Sequence, residues 1–137
     1  MNKATSLAKI LDMDAGSVRE FLEGVAADWD TMRLAYYDER VIEKIAEVSG
    51  VGGASEVADV GTGTGFVAAG IAPRVGRVVG IDGAPAMLGV AREDLRALGL
   101  TNVDLVVGNV ARLPLGKSVD AAFANMVLHH AEDPAAM

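Results

Sequence analysis

The residues best suited to chemistry are three glycines and the polar residues around them. In "EVADVGTGTGFVAAGIA", Glu56 to Ala72, an apolar run ends on Asp59, and Gly61, Gly63 and Gly65 then fall at every second position, with Thr62 between the first two. Glycines spaced this way let the backbone turn tightly and approach a ligand, because no Cβ stands in the way. Asp82 follows about twenty residues past the loop, where a carboxylate can accept hydrogen bonds from the hydroxyls of a ribose. Asn109 stands just after a third apolar run.

Two ligand classes compete for such a loop. The dinucleotide fingerprint is G-x-G-x-x-G, but here Phe66 stands where its third glycine belongs. Asp59 would also place negative charge close to a pyrophosphate, which short-range Coulomb repulsion disfavours. A nucleoside with free ribose hydroxyls, no pyrophosphate and a cationic portion suits the residues better. S-adenosylmethionine (SAM) has all three, through its sulfonium and amino groups. A nicotinamide dinucleotide is the weaker candidate.

The pattern around these residues is strand–helix alternation. "EVADV" predicts a strand, Gly65 to Ala72 a helix, and "RVVGID", Arg77 to Asp82, a second strand rich in β-branched residues. Pro85 opens a further helix, with Leu88, Ala91, Leu95 and Leu98 as its buried stripe and Gly99 as its stop. "NVDLVVG", Asn102 to Gly108, is the third strand, and Ser118 to about Leu128 holds the fourth. "AEDPAAM" reads as the start of another helix. Near-continuous apolar strands in this order predict an α/β fold, a Rossmann-like, doubly wound parallel sheet. Asp59, Asp82 and Asn109 then fall at or just after strand ends, where such sheets bind ligands.

Residues 1–50 read as an N-terminal helical segment on the lid or substrate side, ahead of the N-terminal half of a SAM-binding Rossmann-like domain over 51–137. Val18, Phe21, Leu22 and Val25 give one helix from Ser17 to about Asp28, with Ser17 and Glu20 as a capping box. Tyr37, Val41, Ile45 and Val48 give a second, ending at Ser49-Gly50.

Composition narrows the function classes. The chain has 137 residues and a net charge of −7, which argues against non-specific binding to nucleic acid or anionic membrane. The absence of cysteine removes disulfides and thiolate metal sites, and fits a cytoplasmic protein. No metal site is expected. Adjacent His129 and His130 do not share a helix face, so joint metal ligation is disfavoured and a structural role is favoured over base catalysis. Trp29, Tyr36 and Tyr37 either pack the first helices or cover the pocket, with packing favoured.

The segments "VADVGTGTGFVA", "VVGIDGAPAML", "GNVARLPL" and "VDAAFANMVLHHAEDP" together resemble the class I SAM-dependent methyltransferases, most of all the small-molecule branch labelled methyltransferase type 11 or UbiE-like. The resemblance runs from about Val57 to Pro134, and the helical lead-in is similar as well. It implies that Asp59 and the loop from Gly61 to Gly65 flank the methionine part of SAM, and that Asp82 binds the ribose. It also implies that Gly83 and Met87 lie against the adenine, that Asn109 and the Val110 backbone meet the adenine edge, and that Asn125 sits near the methionine amino group and the acceptor. Bland readings stay open: Asp59 as a turn-capping carboxylate, Asp82 as a turn residue, Met87 as core.

Two positions depart from the family. Asn109 stands where Asp is commoner, but its side-chain oxygen still accepts a hydrogen bond. Ala84 stands where Ser often caps a helix, which forgoes about 1 kcal/mol. The family fold also has seven strands where this sequence supplies four. The expectation is therefore the N-terminal part of a longer methyltransferase, with the fourth-strand edge open to pairing, for example with a second copy. Methyl transfer is an in-line displacement that chiefly requires alignment; no catalytic base is assignable. The leading expectation is a SAM-dependent methyltransferase acting on a small molecule and yielding S-adenosylhomocysteine (SAH), without a nucleic-acid or membrane partner. The alternative is a non-catalytic SAM-binding half-domain completed by a partner chain.

Overall fold

The computed structural model describes residues 15–109, 112–125 and 135. Strands β1 (Glu56–Val60), β2 (Arg77–Asp82), β3 (Val103–Val107) and β4 (Ala121–Ala124) form one sheet in the order β3-β2-β1-β4. All neighbours are parallel, with Asp59 paired to Gly80 on one side and Phe123 on the other. From β1 the chain steps outward to β2 and β3, then returns to place β4 on the far side of β1. That reversal is the switch point of a doubly wound sheet, and it agrees with the fold class expected from the sequence.

Among the described residues, five α-helices accompany the sheet: α1 (Ala15–Val25), α2 (Trp29–Arg33), α3 (Arg40–Ser49), α4 (Phe66–Ile71) and α5 (Pro85–Ala97). The main core joins Val57, Val78 and Phe123 of the sheet to Ile42 of α3 and to Val67, Ala68 and Ile71 of α4. The central strands β1 and β2 are buried nearly throughout, whereas the edge strands β3 and β4 are half exposed. A second apolar cluster packs Leu22, Val25 and Ala26 with Trp29 against Ala84 and Met87 at the start of α5. The helices before β1 are thus seated on α4 and α5.

Several sequence expectations change in detail. The first helix begins at Ala15, so Ser17 lies inside its first turn and is not the cap. It also stops early: Val25, at φ −115° and ψ 5°, leaves helical geometry, and a 3₁₀ turn over Ala26–Asp28 leads into α2. The next helix starts at Arg40 rather than near Tyr37, because the Asp38 carboxylate accepts the Arg40 N–H at 3.0 Å. Val48 and Leu98, read as buried stripe residues, are 73% and 64% exposed; each lies in the last turn of its helix or just beyond it, past the reach of the sheet. The stops themselves stand, with Gly50 and Gly99 in the left-handed region at φ 63° and 69°. Val110, His129, His130 and the helix expected over "AEDPAAM" fall outside the described residues, apart from Ala135. Among the described residues, no helix is long and apolar enough to cross a membrane.

Candidate functional site

The glycine loop is folded across the end of β2. Gly61 and Thr62 both donate their N–H to the Ile81 carbonyl, at 2.8 and 2.9 Å, and Gly65 closes the turn onto the Thr62 carbonyl at 2.9 Å. Gly61, Gly63 and Gly65 have φ of 72°, 57° and 83°, a region that other residues enter only at a cost. Gly65 is held for packing as well, since a Cβ there would stand 3.2 Å from the Ala91 Cβ on α5.

Asp82 organises this edge. Its Oδ2 accepts the Gly63 N–H at 2.9 Å and its Oδ1 accepts the Ala84 N–H at 2.9 Å. The residue is only 8% exposed. Burial pushes its carboxyl up from the usual range, the backbone N–H groups of Ala84 and Gly63 pull it back, and the Glu23 charge adds to the rise. An ionised carboxylate offers about four acceptor positions, so capacity for a ligand hydroxyl remains. The Asp82 carbonyl accepts the Gly108 N–H at 3.0 Å, which brings Gly83, Gly108 and Asn109 together at the ends of β2 and β3. Asn109 is exposed and forms a bridge with Arg112. On the other side, Val60 pairs with Ala124, so Asn125 stands one residue past the end of β4, level with the start of the glycine loop.

Two residues expected at the ligand are buried. Asp59 is 2% exposed and points into the fold, toward α4. Its Oδ2 accepts the Thr62 hydroxyl at 2.7 Å, and the carboxylate also accepts the Ala68 N–H. It thereby caps the first turn of α4, whose N-cap, Gly65, has no side chain to do so. Burial, opposed by these two bonds, pushes its carboxyl up to about 6. The bland reading of Asp59 as a capping carboxylate is the one this arrangement matches. Met87 is 1% exposed beneath the α1 cluster, so here it serves packing and presents no surface to an adenine.

The sequence reading missed a polar layer laid over the loop by α1 and α2. Glu23 Oε2 accepts the Ala86 N–H at 3.1 Å and so caps α5 in place of a side chain at Ala84. Asp30 Oδ1 accepts the Thr64 hydroxyl at 2.8 Å and the Arg33 Nε–H at 3.1 Å. The Arg33 guanidinium lies 3.4 Å from the centre of the Phe66 ring. The Trp29 indole nitrogen would be 3.6 Å from a Cβ on Gly63. Trp29 also bonds the Tyr37 hydroxyl, whose pKa burial raises and Arg33 opposes, so that phenol is no base near neutrality. The Asp30–Arg33 spacing in "DWDTMR" was the available signal, but such i,i+3 pairs are usual on solvated helix faces.

Comparison with known proteins now decides the family. The model of the family described as "Methyltransferase domain" matches residues 57–137. The chain belongs to this family. No curated protein is significantly similar to it in sequence. Among solved structures it is similar to a SAM-dependent methyltransferase from Aquifex aeolicus, with 27% identity and a TM-score of 0.66 over 91% of this chain and 63% of that one. A putative methyltransferase from Bacillus halodurans C-125 has 31% identity and a TM-score of 0.65 over 69% of this chain and 42% of that one. An rRNA methylase from Streptococcus thermophilus has 26% identity and a TM-score of 0.54 over 61% of this chain and 50% of that one. The chain spans less than two thirds of the length of each of these methyltransferases.

Proposed function

We propose that the protein binds SAM at the glycine loop and transfers its methyl group to a small-molecule acceptor. The observation that carries this reading is the Gly63–Asp82 hydrogen bond, which clamps the loop to a carboxylate at the end of β2. That edge fits the nucleoside: Asp82 keeps acceptor capacity for the ribose, Gly83 and Asn109 lie beside it for the adenine, and the exposed backbone of the glycine loop suits the methionine portion. When bound, SAM supplies an electrophilic methyl on a good leaving group. What the chain's own residues contribute is alignment and exclusion of water. The loop fixes the backbone, Asp82 orients the sugar, and the helices before β1 cover the edge.

A small acceptor is supported by charge. The net charge is −7, and Arg33, Arg40, Lys44, Arg74, Arg77 and Lys117 each pair with a carboxylate. These are six of the 12 basic residues, and cations already offset in this way are less available to phosphate backbones. The likeness to an rRNA methylase is the observation on the other side. The test is calorimetry of the full chain with SAM, SAH and NAD, followed by transfer of labelled methyl into pooled small metabolites or into RNA. SAM and SAH binding with label in the metabolites is expected. NAD binding without SAM binding overturns the cofactor, label in RNA overturns the acceptor class, and binding without transfer leaves the non-catalytic SAM-binding alternative.

A further inference from the structure

We infer that Asp59 is a specificity-determining residue: from beneath the glycine loop it supplies a buried negative charge, offset by no cation among the described residues, that shifts the site's preference toward SAM and away from SAH. The inference rests on the reading that the loop holds SAM. The two ligands differ by one methyl group and one positive charge, that of the sulfonium. Telling them apart by more than a methyl contact takes a negative charge within range of the sulfur. Asp59 stands two residues before Gly61, and its Oδ2 accepts the Thr62 hydroxyl at 2.7 Å. A ligand resting on Gly61 to Gly63 is therefore separated from this carboxylate by the thickness of the loop.

Asp59 is hydrogen-bonded but not neutralised. The Thr62 hydroxyl and the Ala68 N–H satisfy its oxygens, yet none of the ion pairs among the described residues includes it. The groups that face it offer no counter-charge. From β2 comes Asp82, a second carboxylate, and from the turn before α3 comes Tyr37, whose phenol burial keeps neutral near pH 7. The helix α4 and the strand β4 carry no charged residue. Arg33 is engaged by Asp30 and by the Phe66 ring. Buried charges are ordinarily paired; here a cationic ligand supplies the missing partner. Burial pushes this carboxyl up to about 6, and a nearby cation pulls such a value back down. SAM binding below about pH 6 thus expels a proton, and SAM affinity rises with pH through that range. SAH, with no charge on sulfur, gains nothing. Titration of Asp82 cancels in the ratio of the two affinities, because the ribose it faces is common to both ligands.

The experiment is titration calorimetry of the full chain with SAM and with SAH from pH ~5 to ~7.5, across the range where Asp59 ionises. Each titration is run in two buffers of different ionisation enthalpy, for the wild type, Asp59→Asn and Asp82→Asn, with circular dichroism at each pH. In the wild type the ratio of SAM to SAH affinity rises about tenfold, the scale of two unit charges roughly 10 Å apart at an effective dielectric constant of about 20. SAM binding near pH ~5.5 also releases more protons than SAH binding does. Asp59→Asn, a stand-in for the protonated acid, holds the ratio flat near the value the wild type has at the acid end. Asp82→Asn weakens both ligands and keeps the slope. A residue that only shaped the loop would weaken both ligands alike, so a slope retained in Asp59→Asn, or lost in Asp82→Asn, overturns the inference. A flat ratio in a wild type that binds both ligands also overturns it, without recourse to any variant, and leaves the cofactor assignment standing. A wild type that binds neither ligand overturns the cofactor assignment and the inference with it.

Discussion

Gly63 donates its backbone N–H to Asp82 across 2.9 Å, joining residues nineteen apart in sequence. The bond ties the glycine loop after β1 to the last residue of β2. The loop's shape and the carboxylate's position are therefore a single feature, and a substitution at either end acts on both.

Asp82→Ala strands two backbone donors, those of Gly63 and Ala84. Stranded donors cost about 1–3 kcal/mol each when they stay dry, and water reaching the vacated space offsets part of that. Melting should fall by roughly 5 °C, at about 2–4 °C per kcal/mol for a domain of this size. Asp82→Asn keeps one acceptor oxygen and turns an amide toward the other donor, so its melting loss should be smaller. Both should weaken SAH binding by about a hundredfold or more in calorimetry, because the ribose loses a charged acceptor. Wild-type SAH affinity in Asp82→Asn would remove the ribose role.

Asp59 gives the fold a pH dependence. Its carboxyl is pushed up to about 6 by burial, from the ordinary aspartate range near 3.8. The native state therefore holds this proton more tightly than the unfolded chain, and its contribution to stability is full below pH ~4 and falls as pH rises through about 6. The shift corresponds to roughly 3 kcal/mol. Asp82, shifted in the same direction, adds to the slope. Urea unfolding from pH 4 to 7 should show Asp59→Asn losing most of this decline, as an amide keeps an acceptor for Thr62 or Ala68 without a charge to desolvate. An equal decline in wild type and variant would show that burial at Asp59 is not its source.

The Arg33 guanidinium lies 3.4 Å from the centre of the Phe66 ring, and its Nη1 is unpaired among the described residues. Arg33→Met removes the charge and the orphaned donor, and fills similar space with an apolar chain, so stability should change by no more than about 1 kcal/mol. Arg33→Lys should cost more, about 2 kcal/mol, since an ammonium keeps the buried charge and loses both the planar stack and the fixed Nε bond to Asp30. The order of the two midpoints in urea is the check; lysine tolerated better than methionine would contradict it.

The sheet was legible because its strands are short apolar runs punctuated by Gly, Pro and Asp, signals set by local chemistry. The glycine loop and Asp82 were legible for the same reason: "DVGTGTG" and the terminal Asp of "RVVGID" mark strand ends. What the sequence withheld depends on which side of a strand a residue faces. Asp59 follows the alternation inward to the Thr62 hydroxyl and the Ala68 N–H; composition at the strand end cannot distinguish that from a residue facing a ligand. The polar layer of Glu23, Asp30 and Arg33 was hidden because its partners, Ala86, Thr64 and Phe66, lie more than thirty residues away. Met87 was ambiguous until α1 was seen to cover it.

Gly70 separates stability from the site. It lies in α4, where a Cβ would come within 2.1 Å of the Ile42 Cδ1 and 2.8 Å of its Cγ1. Gly70→Ala gains about 1 kcal/mol of helix propensity, but it forces Ile42, 7% exposed in the main core, off its packed position at about 1–3 kcal/mol. The net effect should be modest destabilisation. Ile42→Val deletes the Cδ1 atom and alone costs about 1 kcal/mol. In the double variant the deletion removes the worst overlap, leaving only the Cγ1 contact at 2.8 Å to relax, so the pair should be more stable than the sum of the two losses, with a coupling of about 1 kcal/mol in urea unfolding. SAH affinity of each folded variant should stay at the wild-type value, since neither residue touches the loop or Asp82. Additive losses would mean that α4 shifts as a unit to admit the methyl group, and affinity would then fall along with stability.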